Sequence, residues 1–394
     1  MSAGELILAL VLGGIGLVQL APPLASWWRR ARYRLPPLAR RLSPPVHLVV
    51  PCKGGGAHLM RHLAAFVAQR YRPLVVSFVT QSASDTATPL IAELAARHDH
   101  VRHIVAGLAG SGSQKIHNLL AAVAAAPPQA EVFAFCDSDI EPRPDLLHHL
   151  VGALVCHGVT VTTGYRWLAP EPAGLVARVH TVLSGYMATL AAWPTSRVVW
   201  GGTWAIRRND WQRLRVAEYW RPRLSDDLAL QTLLERHGAS REFVPWCVSP
   251  TRDALTRAAE LFDWFSRQVY YMRLYTPVWW RAAVASLLLA GAAVTGALGV
   301  LAAPLLGWGL PGALPAAAAA VLLLGVLAVP LLIVAPRPGP LTFTWRQWVA
   351  LAPLAGVVAL LSAVHSLFMR RVTWANITYT FNRDGTVKRV QHQP

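Results

Sequence analysis

Short apolar runs separated by helical spacing dominate the first half of the chain. His47-Leu48-Val49-Val50, Leu74–Thr80, Val101–Val105 and Val132–Cys136 each have the length and composition of a buried strand. Between them, Leu59–Gln69, Thr88–Arg97 and Ile116–Ala126 carry apolar residues at helical spacing. This alternation predicts βαβ units and a mostly parallel sheet, hence an α/β domain. The following stretch is less regular. Val159–Thr163 reads as a strand, Ala173–Ala192 as a helix with few charges, and Val198–Ile206 as a strand carrying glycines. Ser225–His237 reads as a helix capped by Ser225, with Asp226 and Asp227 in its first turn. Phe243-Val244-Pro245 is a short strand. Ala254–Tyr275 is amphipathic and rich in aromatic residues and Arg, suited either to a membrane interface or to a packed surface helix.

The pattern changes at both ends. Leu6–Leu24, Ala282–Ala335 and Val349–Met369 are apolar and nearly free of charge, and stretches of about 20 such residues match a bilayer core. Three C-terminal spans are expected, at about 282–306, 314–335 and 348–369, which with the first make four. If the catalytic domain is inside, an even count puts both termini outside. Arg370 and Arg371 then fall on the wrong side for the positive-inside rule, unless one C-terminal segment is re-entrant or interfacial. The expected organisation is an anchor at 1–28, a basic linker at 29–45, a cytosolic catalytic domain at 46–253, an interface helix at 254–280, a transmembrane region at 281–370 and a tail at 371–394. The tail reads as a hairpin, Thr373 to Val390, turning at Asp384-Gly385.

Composition supports an integral membrane protein, since 54% of the 394 residues are hydrophobic and only 14% are charged, and the inner or plasma membrane is the expected location. The net charge of +17 would suit a nucleic-acid binder, but Arg29, Arg30, Arg32, Arg34, Arg40 and Arg41 follow the first span directly. Positive-inside orientation and attraction to anionic lipid account for them, and no nucleic-acid module is present. A cleaved signal peptide is disfavoured because Glu5 precedes the apolar run and no basic segment does, so an uncleaved anchor with its N-terminus outside is expected. Cys52, Cys136, Cys156 and Cys247 form no C-x-x-C pair and read as reduced thiols.

Candidate chemistry recurs near strand ends. Asp137-Ser138-Asp139 ends the apolar run Val132–Cys136. Residues i and i+2 of an extended chain point the same way, so both carboxylates can face one hard cation that holds phosphates. Alone, the motif is equally a solvated loop. Asp85 follows a strand, Lys115 lies beside the turn Gly112-Ser113, Asp226-Asp227 open a helix, and Arg267, Gln268 and Arg273 lie on the amphipathic helix. Transfer from a nucleotide sugar needs such a set. An early Asp accepts from a uracil N–H, a Lys neutralises phosphate, and a D-x-D holds a divalent metal. A late carboxylate takes a hydroxyl proton, and Arg stabilises the leaving diphosphate.

With these motifs in their order, the chain resembles membrane-bound family 2 glycosyltransferases, most closely the ceramide glucosyltransferase-like branch. The resemblance spans roughly Val46 to Pro277 plus the flanking apolar spans and rests on Pro51-Cys52-Lys53-Gly54, Gln69-Arg70-Tyr71-Arg72-Pro73, Gln114–Leu119, Asp137-Ser138-Asp139, Thr163–Trp167, Trp200–Ile206, Ser225-Asp226-Asp227 and Arg267-Gln268. It implies a GT-A fold, a UDP-sugar donor (glucose is the expected sugar), a divalent metal (Mn²⁺ or Mg²⁺), a membrane-lipid acceptor at the cytosolic face, and inversion at the anomeric carbon. It also implies roles: Asp85 at the nucleoside, Lys115 near the uridine phosphates, and Asp139 ahead of Asp137 as direct metal ligand. Asp227 is the implied general base, with Asp226 its close competitor. The family's (Q/R)-x-x-R-W signature is degenerate: from Arg267 it gives Tyr270-Tyr271, from Gln268 Tyr271-Met272, and Arg273 stands one turn later. A processive polysaccharide synthase would need that motif and a longer bundle. A non-catalytic scaffold that keeps the fold would not need the full acidic set. A transporter is disfavoured because the C-terminal spans carry almost no ionisable residue beyond His365.

Overall fold

Helix α1 (Ala3–Arg32) precedes a run of alternating elements: β1 (Val46–Pro51), α2 (Leu59–Val67), β2 (Leu74–Thr80), α3 (Thr88–Arg97), β3 (Val101–Val105), α4 (Gln114–Ala124) and β4 (Val132–Cys136). There follow α5 (Leu146–Cys156), β5 (Val161–Leu168), α6 (Leu175–Ala191), β6 (Thr203–Arg207), α7 (Arg208–Arg213), α8 (Val216–Trp220), α9 (Asp226–Arg236) and β7 (Arg241–Thr251). Then come α10 (Ala258–Tyr275), α11 (Pro277–Ala302), α12 (Ala313–Val334), α13 (Trp345–Phe368), β8 (Arg371–Trp374), β9 (Ile377–Phe381) and β10 (Val387–His392). The structure, a computed structural model, describes residues 2–34, 43–171, 174–192, 196–253, 255–307, 312–334, 345–374 and 377–392. Residues 35–42 of the basic linker, including Arg40 and Arg41, lie outside the described residues.

The expected sheet is present. Seven strands run in the order β3-β2-β1-β4-β6-β5-β7. The first four are mutually parallel, β6 runs antiparallel to both β4 and β5, and β7 is parallel to β5. Alternation divides the strand side chains between two cores. Leu48, Val76, Phe78, Val132 and Ala134 pack under α2, α3 and α5, whereas Val49, Val79, Phe133 and Phe135 face α4, α8 and α9. Phe135 stacks on Trp204 at 4.3 Å, and Trp204 is fully buried. Burying each such side chain stabilises the domain by roughly 1.5–3 kcal/mol.

The boundaries differ where side-chain pattern competes with local geometry. The expected strand Val198–Ile206 is ordered as β6 only from Thr203, because Gly201-Gly202 form a turn. Phe243-Val244-Pro245 belongs to an 11-residue edge strand, where Pro245 is tolerated. Helix α5 was hidden by its nearly uniform apolarity, with Leu146, Leu147, Leu150, Val151 and Leu154 all buried. Residues 173 and 254, expected to begin helices, lie outside the described residues. The tail hairpin forms, with Gly385 at φ +78° in its turn, and β8 adds a third strand. All four cysteines are free and three are buried.

Helices α1, α11, α12 and α13 correspond to the four expected spans. Among the described residues, two helical segments, Pro277–Leu306 and Arg346–Phe368, are long and apolar enough to cross a membrane. Small residues set the packing of the apolar helices: Ala9, Ala293, Ala297, Ala318 and Ala319 are buried together, and a Cβ on Gly16 would lie 2.9 Å from Leu322 Cα. Trp348 of α13 stacks on Trp167 at 5.4 Å and covers Gly185 of α6, where a Cβ would meet its ring at 2.4 Å. Helix α10 packs against this assembly through Leu261 and Phe265. The α/β half therefore rests on the apolar helices through α6 and α10.

Candidate active site

Strands β1, β2 and β4 all end at one sheet edge, where the chain order reverses around β1 and α/β folds bind ligands. Asp85 lies beyond β2. Its Oδ1 accepts from the Gly54 and Ala87 backbone N–H groups, each at 2.9 Å, tying the Pro51–Gly54 turn to the approach to α3. Helix α4 opens at the same edge with Ser113 as N-cap, its Oγ accepting from Ile116 N at 3.1 Å. Gln114 shapes the preceding loop, donating to Gly107 O at 2.8 Å and accepting from Ala109 N at 2.9 Å.

Lys115 is thereby aimed at two acidic groups from separate elements. Its Nζ lies 2.8 Å from Asp137 Oδ1, just past β4, and 3.2 Å from Asp226 Oδ2 at the start of α9. The second contact is an ion pair without hydrogen-bond geometry, so Asp226 Oδ2 has no hydrogen-bond partner. Asp226 is only 4% exposed. Burial pushes its carboxyl up to about 7, against Lys115 and with Asp227 and Asp137 adding to the rise. For Lys115, burial works to depress the ammonium, but Asp137, Asp226 and Asp227 more than offset it and hold the group above its ordinary value.

Asp139 has a different partner. Arg166 of β5 reaches its Oδ2 at 3.2 Å while lying over the Trp264 ring of α10, 5.2 Å from the centroid. The Asp139 side chain keeps 38% exposure, yet its Oδ1 is buried and unpartnered, so the residue lies in a recess. Burial raises its carboxyl, Asp137 and Asp253 adding and Arg166 and Lys115 opposing. Asp227 is held by three donors: Gly201 N to Oδ2 at 3.3 Å, Leu228 N to Oδ1 at 2.7 Å, and the Ser225 hydroxyl.

The Gly201-Gly202 turn passes between the two acidic pairs. Asp137 N donates to Gly202 O at 3.1 Å. A Cβ on Gly201 would fall 2.7 Å from Asp226 Oδ2, and one on Gly202 would fall 2.8 Å from Asp137 Oδ2 and 2.3 Å from the Trp200 ring. These glycines permit a close backbone approach.

Lys115, Asp137 and Asp226 are thus brought into contact, with Asp227 beside them through Gly201 and Asp139 paired to Arg166. Arg267 and Asp227 both act electrostatically on the Tyr271 phenol, whose pKa burial raises above its ordinary value. Gln268 is half-buried on the same helix. Arg273 is placed elsewhere: its guanidinium donates to the Ser366 and Leu367 carbonyls, capping α13. Arg166 had no periodic or motif signal beyond its place in Thr163–Trp167, and only the fold brings it to Asp139.

A mostly parallel sheet with carboxylates gathered at its carboxyl edge is the architecture of GT-A nucleotide-diphospho-sugar transferases. A mannosyltransferase, PcManGT from Pyrobaculum calidifontis in complex with GDP-Man and Mn²⁺, shares the fold at TM-score 0.52 and 20% identity, covering 92% of this chain and 99% of its own. Glucosyl-3-phosphoglycerate synthase from Mycobacterium tuberculosis, in complex with Mn²⁺, UDP-glucose and phosphoglyceric acid, aligns over 60% of this chain and 81% of its own, at TM-score 0.40 and 16% identity. No curated protein sequence matches the chain. The sequence profile of glycosyl transferase family 21 matches residues 8–387, and the chain belongs to that family, the ceramide glucosyltransferase family. It is a glycosyltransferase.

Proposed function

We propose that the protein transfers a sugar, glucose, from a UDP-sugar to a hydroxyl of a membrane lipid such as ceramide at the cytosolic face, with inversion. The observation that carries this reading is Lys115 bridging Asp137 and Asp226, which joins the D-x-D to the helix start that bears the base. The apolar helices packed against α6 and α10 favour an acceptor delivered from the bilayer.

The residues fit a divalent metal. Asp137 and Asp139 offer hard oxygen donors, and Asp139 Oδ1 is buried without a partner. Among the described residues no cluster of three or more metal-ligating side chains is preformed. That suits Mg²⁺ or Mn²⁺ held by one or two carboxylates and completed by substrate phosphates. Bound there, with Asp139 as the direct ligand, the metal would neutralise charge on the departing diphosphate. Lys115 lies beside Asp137 to counter phosphate charge, and Asp85 serves the nucleoside through the turn it organises. Asp227, less buried than Asp226 and oriented by Gly201 N, accepts the proton of the acceptor hydroxyl as that oxygen bonds to the anomeric carbon. The bond to the diphosphate breaks, and its electron pair leaves with UDP. Asp226 holds Lys115, and Arg267 is the basic residue of α10 on the Asp227 side.

The test uses the purified full chain in ceramide-containing nanodiscs with UDP-glucose or GDP-mannose. A hexosyl-lipid formed from UDP-glucose, abolished by EDTA and restored by Mn²⁺ or Mg²⁺, is the expected outcome. Product from GDP-mannose alone would replace the donor, full activity in EDTA would remove the metal, and nucleotide-sugar binding without transfer to any lipid would favour a scaffold.

A further inference from the structure

The C-terminal β-meander, β8 to β10, packs against the start of the catalytic helices. Tyr275, at the end of α10, joins the two. Its hydroxyl donates to Gly385 O at 2.8 Å in the meander's turn and accepts from Leu224 N at 3.0 Å and Ser225 N at 3.5 Å. A phenol has one proton and two acceptor sites, so this hydroxyl is fully used. Ser225 is the N-cap of α9, and its own hydroxyl donates to Asp227. Gly385 is therefore tied to Asp227 by hydrogen bonds through Tyr275 to the Ser225 backbone, and onward through the Ser225 side chain.

A second connection reaches Lys115. Arg223 donates from Nη1 to Asp384 O at 3.0 Å, and its carbonyl accepts from Ser113 N at 3.0 Å. Ser113 caps α4, and Gln114 N, one of the N–H groups that a helix start cannot pair internally, donates to Tyr379 OH at 3.3 Å. Val387 N closes the contact by donating to Pro222 O at 2.7 Å. Close approach is built in. A Cβ on Gly112 would fall 2.2 Å from Arg221 O, and one on Gly385 would fall 3.1 Å from the Tyr275 ring.

We propose that the C-terminal meander is a positioning element of the transfer site, and that Tyr275 is the positioning residue through which it sets Asp227. The inference rests on the transferase reading above. The meander holds the starts of α4 and α9 in one frame, so Lys115 and the acidic pair keep their register as the donor enters. A cover for the apolar cluster of Leu224, Tyr270, Val372 and Ile377 would need none of these polar contacts. Its loss would lower stability and leave turnover of the folded protein unchanged.

The experiment measures kcat and donor KM with UDP-glucose and ceramide nanodiscs for wild type, Tyr275→Phe, Asp227→Asn and the double variant. Tyr275→Phe keeps the ring and removes the hydroxyl. Its kcat is expected to fall about 10-fold, with donor KM within about two-fold. In the Asp227→Asn background it should cost nothing further, because both changes act on one group. If Tyr275→Phe does not yield folded protein, Ser225→Ala with the same double variant replaces it, removing the hydroxyl that meets Asp227. Wild-type kcat in the folded variant, or a further equal loss in the Asp227→Asn background, would overturn the inference alone. An inert wild type would overturn the transferase reading and this inference with it.

Discussion

Asp137 and Asp139 stand two apart at the end of a strand, whereas Asp226 and Asp227 stand adjacent at the start of a helix. On the strand side, alternation sends both carboxylates to one edge, and each meets its own cation, Lys115 or Arg166. On the helix side, neighbouring residues diverge around the axis. Asp226 turns inward, buried against Lys115, while Asp227 takes backbone and hydroxyl donors and stays more open. The backbone's periodicity therefore separates the pairs: in the proposed roles the strand pair supports one diphosphate jointly, and the helix pair holds one carboxylate on Lys115 and leaves the other to react. Lys115 pairs with both regions.

Removing Asp227, the proposed base, breaks the comparison most sharply. Asp227→Asn should lower transfer by about 10²–10⁴-fold in single-turnover assays while donor binding by calorimetry persists. An equal collapse for Asp226→Asn with Lys115 still in place would merge the roles assigned to the pair. Replacing the bridge is next: Lys115→Met leaves Asp137 and Asp226 without their shared cation and should cost about 3–5 kcal/mol in denaturant unfolding. Asp226→Asn in the same background should recover part of that loss, because the uncompensated buried charge is gone.

A control lies outside both regions. His47 is fully buried, its Nε2 2.8 Å from Ser77 Oγ. Burial, with Arg102 and Arg208 adding, lowers its pKa from 6.5 to about 4. The folded state then binds fewer protons than the unfolded chain. This contribution is whole above the unfolded value and is lost as pH falls from 6.5 towards 4, by about 3 kcal/mol at most. Unfolding midpoints across that window should show the loss in wild type and a shallower one in His47→Gln, with the acidic pairs untouched. The smallest effect is expected at Arg273. Because it caps α13, Arg273→Gln should leave donor KM within about two-fold and lower stability by about 1 kcal/mol. A large rise in donor KM would return Arg273 to the diphosphate.

Much of the scaffold was legible along the chain because the signals are local. Leu74–Thr80, Thr88–Arg97, Val101–Val105 and Val132–Cys136 have the expected bounds, since an apolar run between turn signals specifies a strand and a 3.6-residue repeat a helix. Ser225 was legible as a cap because capping chemistry spans only three residues. The expected Asp-Gly turn of the tail likewise depends on one residue's freedom at positive φ. Helix α5 escaped because its apolar face is nearly all round, which removes the period.

Sequence by itself determined the alternating α/β order, the apolar helices at the two ends, and which side chains are able to act as acids, bases and cations. Tertiary structure alone decided which of them meet. Arg166 reaches Asp139 across 27 residues, Lys115 reaches Asp226 across more than a hundred, and Tyr379 caps α4 from 265 residues away. Arg273 was drawn to the end of α13 instead of the acidic edge. The physical reason is the range of the forces involved. Propensity, capping and periodicity act within a few residues and are written in order along the chain. Ion pairs and close backbone approaches act over a few ångströms, so they exist only once the sheet has set the distances.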